Sequence, residues 1–336
     1  MTPEVSVVIP TYNRSPYVGS AIASVLAQDR RDFELIVVDD GSTDDTAAEL
    51  SEWVGRDPRV QVCANNGSHG PAGARNAGIA LARADWVAFL DSDDRWEPRT
   101  LERLLAAVKS DTVLVSGDFR MTGDDGPDLT MQQKLLETMI PWWERDPLAR
   151  EAIDCARLRA NIHCCAEPEL LLGMAVGGLL WLGTSSTMAR RRDVVAAGGF
   201  DARLLRTEDF DLWLRLMNRG TVVYVDHVLA NCDVGGRGAG LGPRYEGYER
   251  PVHTAYDEER WHLRFLRALA GCDKLNLAQR RFLTVRVAAA RRRCGYAALG
   301  ARPAAAAWHY AVTLLSSRQQ RTQLRAEGRA YFRKPW

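Results

Sequence analysis

The run Ala84-Asp85-Trp86-Val87-Ala88-Phe89-Leu90-Asp91-Ser92-Asp93-Asp94 is a short apolar segment that stops abruptly in carboxylates. Trp86 to Leu90 is almost continuously hydrophobic, the pattern of a strand buried on both faces of a mostly parallel sheet. Asp91, Asp93 and Asp94 then place three carboxylates in four residues. Such a group repels itself when desolvated unless a cation or hydrogen-bond donors compensate. In open α/β sheets the carboxyl ends of the strands are where ligands bind. Oxygen donors of this kind suit a hard divalent ion, Mg²⁺ or Mn²⁺, which keeps waters and bridges to substrate phosphates. The same residues also read as a helix start, with Asp94 as N-cap ahead of Glu97-Pro98.

The chain before this run repeats its logic. Val5 to Pro10 is a buried-strand signal, and Thr11-Tyr12-Asn13-Arg14 makes the turn into a helix that begins at Pro16 and carries Ile22, Val25 and Leu26 on one face. Phe33 to Val38 is a second strand and also ends in carboxylates, Asp39-Asp40. Gly41 to Asp44 supplies a turn and a helix cap before Ala47, Leu50 and Trp53. Arg59 to Cys63 is a third strand, Gly67 to Gly73 a glycine-bearing loop, and Ala74 to Ala82 a helix. Alternation of this kind with short connections predicts a right-handed, Rossmann-like, mostly parallel sheet flanked by helices. The glycine loop has neither the G-x-G-x-x-G spacing nor a G-x-x-x-x-G-K-[ST] run, which argues against dinucleotide and P-loop sites. Arg75 brings positive charge towards the acidic edge. Carboxylates after the second strand suit hydrogen bonds from a base or ribose, and those after the fourth suit a metal, a division of labour that fits a nucleoside diphosphate.

Composition bounds the alternatives. Of 336 residues, 46% are hydrophobic and 26% charged, ordinary for a globular protein with a sizeable core. The seven cysteines show no paired C-x-x-C spacing, and Cys164 and Cys165 are adjacent, so free thiols are expected rather than a disulfide framework or zinc site. No basic n-region precedes the first strand, and the apolar stretch Leu170 to Leu182 is interrupted by glycines and too short to span a bilayer. These features predict a cytoplasmic protein. The formal charge of +1 hides an asymmetry: from Lys274 onward there are 14 basic residues and one acidic, out of 44 and 43 in the chain, which leaves 30 and 42 for the body, a net of 12 negative.

The succession VSVVIPTYNR, ELIVVDDGSTDDT and GPAGARNAGIALARADWVAFLDSDD, followed by GTSSTMARRRDVVAAGGFD and TEDFDLWLRL, closely resembles the family 2 glycosyltransferases with the GT-A fold. The resemblance covers roughly residues 4 to 225 and implies a metal-dependent, inverting enzyme that moves a sugar from a nucleoside-diphosphate donor, UDP-sugars favoured, to an acceptor hydroxyl on a glycan or lipid-linked acceptor. It places Pro10, Thr11, Tyr12 and Arg14 at the nucleoside end, with Asp40 meeting base or ribose and Asp39 close by. It makes Arg75 a diphosphate-side basic residue and puts Asp91 and Ser92 against the donor. Asp91 and Asp93 match the D-x-D pair, the second aspartate being the usual metal holder. At TEDFD the family places its catalytic base: Asp209 in first place, Glu208 as the competitor. From the residues alone, Thr207 as N-cap and two carboxylates in the first turn of an apolar-faced helix explain that motif equally well.

The remainder is less determined. Asp118 to Leu129 is acidic and turn-rich and reads as a loop or hairpin; Met131 to Arg159 has helical patterning and contains Trp142-Trp143, suited to sugar stacking, to a membrane interface or to plain packing in a helical insertion; Leu180 to Ala189 reads as a strand. The family's Y-R-x-H-like stretch is replaced by Val228 to Val234, leaving His227 and Asp233 as candidate third metal ligands that structural roles also explain. Gly235 to Gly247 reads as a loop, with a lid and a plain surface loop both open. The expected organisation is a GT-A domain over 1–230, divided into a nucleotide-binding half 1–117 and an acceptor-side half 118–230, with a basic helical extension over 231–336. Arginines 318, 321, 325 and 329 recur at helical spacing there, suited to anionic lipid at the inner face of the membrane or to the acidic body of the protein. Nucleic acid is not an expected partner, since no recognised module for it occurs. Two other classes stay in view. A sugar nucleotidyltransferase would want a basic, glycine-rich loop where Pro10 to Arg14 stands, and a non-catalytic nucleotide-sugar-binding protein would not need Glu208 and Asp209.

Overall fold

The computed structural model describes residues 2–122, 129–134, 144–145, 182–204, 208–233, 263, 266–267 and 276–297. The expectations for Trp142-Trp143, Cys164-Cys165, Thr207, Gly235–Gly247 and the arginines beyond residue 297 lie outside the described residues. By its contacts the chain divides into two units: 1–142 with 155–166 and 179–248, and 143–154 with 167–178 and 249–336.

In the first unit β1 (Val5–Thr11), β2 (Phe33–Asp39), β3 (Val60–Ala64) and β4 (Trp86–Phe89) are parallel neighbours in the order β3-β2-β1-β4. Every residue of β1 is buried, as a strand covered on both faces must be. Three helices provide the crossovers: α1 (Ser15–Leu26), α2 (Thr46–Arg56) and α3 (Pro71–Leu81). Pro16 and Pro71 lie in first turns, where a missing N–H costs nothing. The Asp44 carboxylate accepts the backbone N–H of Ser15 (3.3 Å) and of Thr46 (3.0 Å), so one side chain secures the starts of both α1 and α2. α3 lies so close to the sheet that a Cβ on Gly78 would come within 2.4 Å of Val8 Cγ1.

Past β4 the chain forms β5 (Arg95–Trp96), α4 (Thr100–Ala106), β6 (Thr112–Thr122), β7 (Leu129–Thr130), α5 (Met131–Lys134), β8 (Thr187–Arg190), α6 (Arg191–Ala196), α7 (Glu208–Met217) and β9 (Thr221–Asp233). The sheet continues β4-β8-β6-β9-β5, with β7 hairpinned onto β6. β8 is antiparallel to both neighbours, whereas β6 and β9 run parallel to each other. Because β8 runs backwards, its first residue lies at the edge where β4 ends, and the 3-10 turn Thr184–Ser186 just before it arrives there too. Phe89, Phe200 and Trp213 pack at this junction with ring centroids 5.3 to 5.9 Å apart.

Four local expectations change. The expected strand over Leu180–Ala189 begins only at Thr187, because Thr184–Ser186 coils into the 3-10 turn. Asp118 belongs to β6 rather than to a loop, although the hairpin is present, with Met121 opposite Leu129. Asp94 caps no helix, since β5 intervenes and α4 starts at Thr100. Thr221–Asp233, where no strand was expected, is the long strand β9, paired with β6 through an irregular register between Gly117 and Phe119.

In the second unit the described helix is α8 (Leu277–Ala297). Asn276 and Gln279 exchange backbone-to-side-chain hydrogen bonds at 2.9 Å, a reciprocal cap. Phe282, Leu283 and Cys294 are buried, while Arg280 and Arg281 are exposed. No helix among the described residues is long and apolar enough to cross a membrane.

Candidate active site

The carboxyl ends of β1, β2 and β4 lie on one edge, and the chemistry-bearing residues gather there. β1 pairs with β2 as far as Thr11↔Asp39, but with β4 only as far as Val8↔Phe89. Pro10 therefore sits past the last β1–β4 pair, where a strand tolerates a missing N–H. Asn13 has φ 50°, a left-handed conformation that asparagine accepts readily. There its amide oxygen accepts the Thr43 N–H at 2.7 Å and ties the turn after β1 to the turn after β2.

Just past β2, Asp40 is 2% exposed. It accepts Gly70 N–H at 2.6 Å and Asn65 Nδ2 at 2.5 Å, and lies 3.2 Å from His69 Nδ1. Asp39 accepts the Ser42 hydroxyl at 2.5 Å. Thr11 Oγ1 is buried and makes no hydrogen bond, so a polar group is on offer to a ligand.

The acidic turn after β4 is buried and wired to three distant segments. Arg75 reaches in from α3, its Nη2 donating to Asp91 Oδ1 and its Nη1 to Glu208 Oε1, both at 2.6 Å. Its guanidinium lies 5.4 Å from the centre of the Phe200 ring. Burial alone would lower the Arg75 pKa, but Asp91 and Glu208 outweigh it and hold the side chain charged. Asp93 Oδ2 is 3.8 Å from Arg14 Nε, and Ser92 beside it is buried. Asp94 accepts the Ser185 hydroxyl at 2.5 Å and hydrogen-bonds the Cys232 thiol. Burial first, then Asp94, pushes the pKa of that thiol well up, so it is neutral.

Glu208 and Asp209 open α7 and are both buried. Burial pushes the Glu208 carboxyl up, to about 7, against the pull of Arg75. Asp209 has different partners: Oδ2 accepts the Thr184 hydroxyl at 2.7 Å and Oδ1 accepts the Phe210 N–H at 2.8 Å. Burial raises its pKa as well, opposed mainly by the Thr184 hydrogen bond and by Arg75.

The edge thus brings together Asp91, Asp93, Arg14, Arg75, Glu208 and Asp209, while Asp39 and Asp40 bind neighbouring loops. His227 is exposed beside the β6–β9 irregularity, and Asp233 ends β9 opposite Thr122. Among the described residues no group of three or more His, Cys, Asp or Glu is arranged to enclose a metal. What the donor set does fit is an ion that takes one or two carboxylates and completes its shell with phosphate oxygens and water, the habit of Mg²⁺-like ions.

The glycosyl transferase family 2 model matches residues 6–166. The succinoglycan biosynthesis protein ExoO of Rhizobium meliloti (strain 1021) is 45% identical over 130 residues, 38% of this chain and 37% of that protein. This chain belongs to glycosyltransferase family 2. Solved structures agree on its fold. S. aureus TarS 1-349 in complex with UDP-GlcNAc superposes with a TM-score of 0.57 at 16% identity, covering 96% of this chain and 78% of that one. The mannosyltransferase PcManGT of Pyrobaculum calidifontis, in complex with GDP-Man and Mn²⁺, gives 0.55 at 16% identity, covering 100% and 82%. The architecture is therefore the GT-A fold of this family's enzymes. The chain spans 37 to 66% of the length of four curated relatives it matches.

Three residues of this family 2 site escape sequence reasoning: Thr184, Ser185 and Cys232. The hydroxyls stand inside a quoted family stretch, GTSS, but Ser185 meets Asp91 and Asp94 across 94 and 91 residues of chain. No local signal encodes such a contact. Cys232 lies in the stretch that replaces the family's Y-R-x-H-like motif, and its proximity to Asp94 comes from β9 pairing antiparallel with β5, Arg95 lying opposite Asn231.

Proposed function

We propose that this protein transfers a sugar from a nucleoside-diphosphate donor to an acceptor hydroxyl in a single displacement, with inversion at the anomeric carbon. The observation that carries the reading is the difference between the two buried carboxylates at the start of α7. Glu208 is committed to a guanidinium, so taking a proton would break an ion pair. Asp209 is held only by neutral donors, a hydroxyl and a backbone N–H, and is the better proton acceptor. In this reading the acceptor hydroxyl gives its proton to Asp209 as its oxygen attacks the anomeric carbon, and the diphosphate leaves from the opposite face.

Asp91 and Asp93 would hold Mg²⁺ or Mn²⁺, which when bound offsets the charge of the leaving diphosphate. Arg75 serves the same end indirectly, by fixing the Asp91 carboxylate. In this reading Thr11, Tyr12, Arg14 and Asp39 face the nucleoside, and Asp40 is the carboxylate on the side of the base or ribose. The ligands of the TarS and PcManGT complexes, UDP-GlcNAc and GDP-Man, support a nucleotide-sugar donor, and we favour a UDP-sugar. The name of ExoO supports a role in polysaccharide synthesis, and we assign a glycan or lipid-linked acceptor at the inner face of the membrane. We assign the transferase to residues 1–230.

The test is nucleoside-diphosphate release from UDP-, GDP- and dTDP-sugars with Mn²⁺, Mg²⁺ or EDTA, with and without candidate acceptors. One donor is expected to respond, with metal required, and Asp93→Ala to abolish that response. Full activity in EDTA or in Asp93→Ala refutes the metal role, and absence of nucleotide binding across the panel refutes the transferase reading.

A further inference from the structure

The 3-10 turn Thr184–Ser186 meets both halves of the site through consecutive side chains. The Thr184 hydroxyl donates to Asp209 Oδ2 at 2.7 Å. The next hydroxyl, on Ser185, donates to Asp94 Oδ2 at 2.5 Å and accepts the Asp91 backbone N–H at 3.0 Å. One residue thus orients the carboxylate at the start of α7, and its neighbour orients both a side chain and the main chain of the acidic turn after β4.

The turn itself has little freedom. Thr184, Ser185 and Ser186 are at most 6% exposed. Trp96 Nε1 donates to the Ser185 carbonyl at 2.6 Å, and Ser186 Oγ donates to the Gly117 carbonyl at 2.9 Å. Trp213 Nε1, from the middle of α7, donates to the Leu182 carbonyl at 3.2 Å. Behind the turn, a Cβ on Gly183 would lie 2.7 Å from the Phe119 ring. A rigid part held from three sides can set a distance, whereas a mobile one cannot.

We propose that Thr184 and Ser185 are a pair of positioning residues through which one turn fixes the proton-accepting carboxylate and the donor-side aspartates in mutual register. The inference rests on the reading of Asp209 as base. Each oxygen of Asp209 already accepts one hydrogen bond, which restricts the carboxylate plane and leaves a defined lone pair for the acceptor hydroxyl. Since a misplacement of about 1 Å can cost roughly 100-fold in rate, a hydroxyl that only aims the base has a large effect on turnover and little on donor binding. Ser185 has the converse effect, because what it aims is the acidic turn.

The two neighbours are therefore expected to give opposite kinetic signatures. Thr184→Val, which keeps the shape and removes the hydroxyl, should lower kcat tenfold or more while leaving the KM of the responding donor and the affinity for Mn²⁺ within twofold; Thr184→Ser should restore kcat. Ser185→Ala should raise the donor KM tenfold and weaken binding of Mn²⁺ alone, followed by its spin-resonance signal. Thermal unfolding of each variant separates these effects from loss of fold. Wild-type kcat in Thr184→Val, failure of Thr184→Ser to restore it, or equal losses of kcat and donor KM in both variants overturns the proposal. Mn²⁺ binding that Ser185→Ala leaves untouched, or that the wild type lacks, overturns the Ser185 half. Asp209→Asn keeps the two failures apart. Retained turnover there removes the base assignment itself; an inactive Asp209→Asn beside an unimpaired Thr184→Val removes only the positioning role.

Discussion

Two adjacent acids at the start of one helix have different partners, and on the proposed function they do different work for that reason. Glu208 faces Arg75, and Asp209 faces Thr184. The resemblance put Asp209 ahead of Glu208, but the sequence held no physical ground for that order, since the contrast depends on a guanidinium 133 residues away. It did find Arg75, yet not what Arg75 touches. Asp209→Asn is expected to reduce turnover at least 100-fold while donor affinity changes little, the pattern of a group used in the transition state. The pH dependence follows from its surroundings. Burial raises the Asp209 pKa above the ordinary value of about 3.9, and the base works only when deprotonated. Turnover should therefore fall with decreasing pH through a range higher than that of an exposed aspartate, which a profile of kcat against pH will show. An acid limb at or below the ordinary value contradicts the assignment.

At the level of elements, β1, β2 and β4 were legible because burial on both faces leaves a continuous apolar signature, and the half-exposed edge strand β3 through its alternating Val60 and Val62; all four start or end within a residue of expectation. β8 and β9 were not. β8 is a four-residue strand preceded by buried hydroxyls, and β9 interrupts its alternation where its register with β6 shifts, so neither carries a clean period. Helix packing offers a paired test. Gly78 of α3 faces Val8, with 2.4 Å to its nearest atom for an added Cβ, whereas Gly55 of α2 has nothing within 4 Å. Gly55→Ala should raise stability by about 0.5–1 kcal/mol through helix propensity alone. In Gly78→Ala the same gain is outweighed by overpacking of about 1–3 kcal/mol, because Val8 and Val38 sit in strands with no room to move. Urea midpoints decide it: a destabilised Gly55→Ala or a stabilised Gly78→Ala contradicts the packing.

Across the whole first unit, opposite edges of the sheet use carboxylates in opposite ways. Far from the site, where β1 and β2 begin, Glu34 accepts the Ser6 hydroxyl at 2.6 Å and both the backbone N–H and the guanidinium of Arg83. Burial would raise its pKa, but these donors outweigh burial and hold it below the usual range. A depressed folded pKa contributes stability that is present above the unfolded value, about 4.3, and is lost as pH falls through the folded one. Asp209 is shifted the other way. On acidification from neutral pH, turnover should decline while the fold, followed by circular dichroism, persists, and unfolding should follow only below about pH 4. Coincident loss of both would contradict this separation. Glu34→Gln should lower stability by about 1–3 kcal/mol at neutral pH, as expected when a buried hydrogen-bonded group is replaced.

The strand order also has a consequence in time. β8 fills the space between β4 and β6, yet it is made last of the three, roughly 100 residues after β4. At about 5–20 residues per second on the ribosome, one edge of β4 waits roughly 5–20 s for its partner, and the growing chain carries an unpaired strand edge throughout. The four parallel strands can pair early, but the edge proposed to be catalytic is unfinished until Thr184, Ser185 and Asp209 have left the exit tunnel. On the proposed function nascent chains would not yet turn over a donor, and this interval is when a chaperone has most to protect.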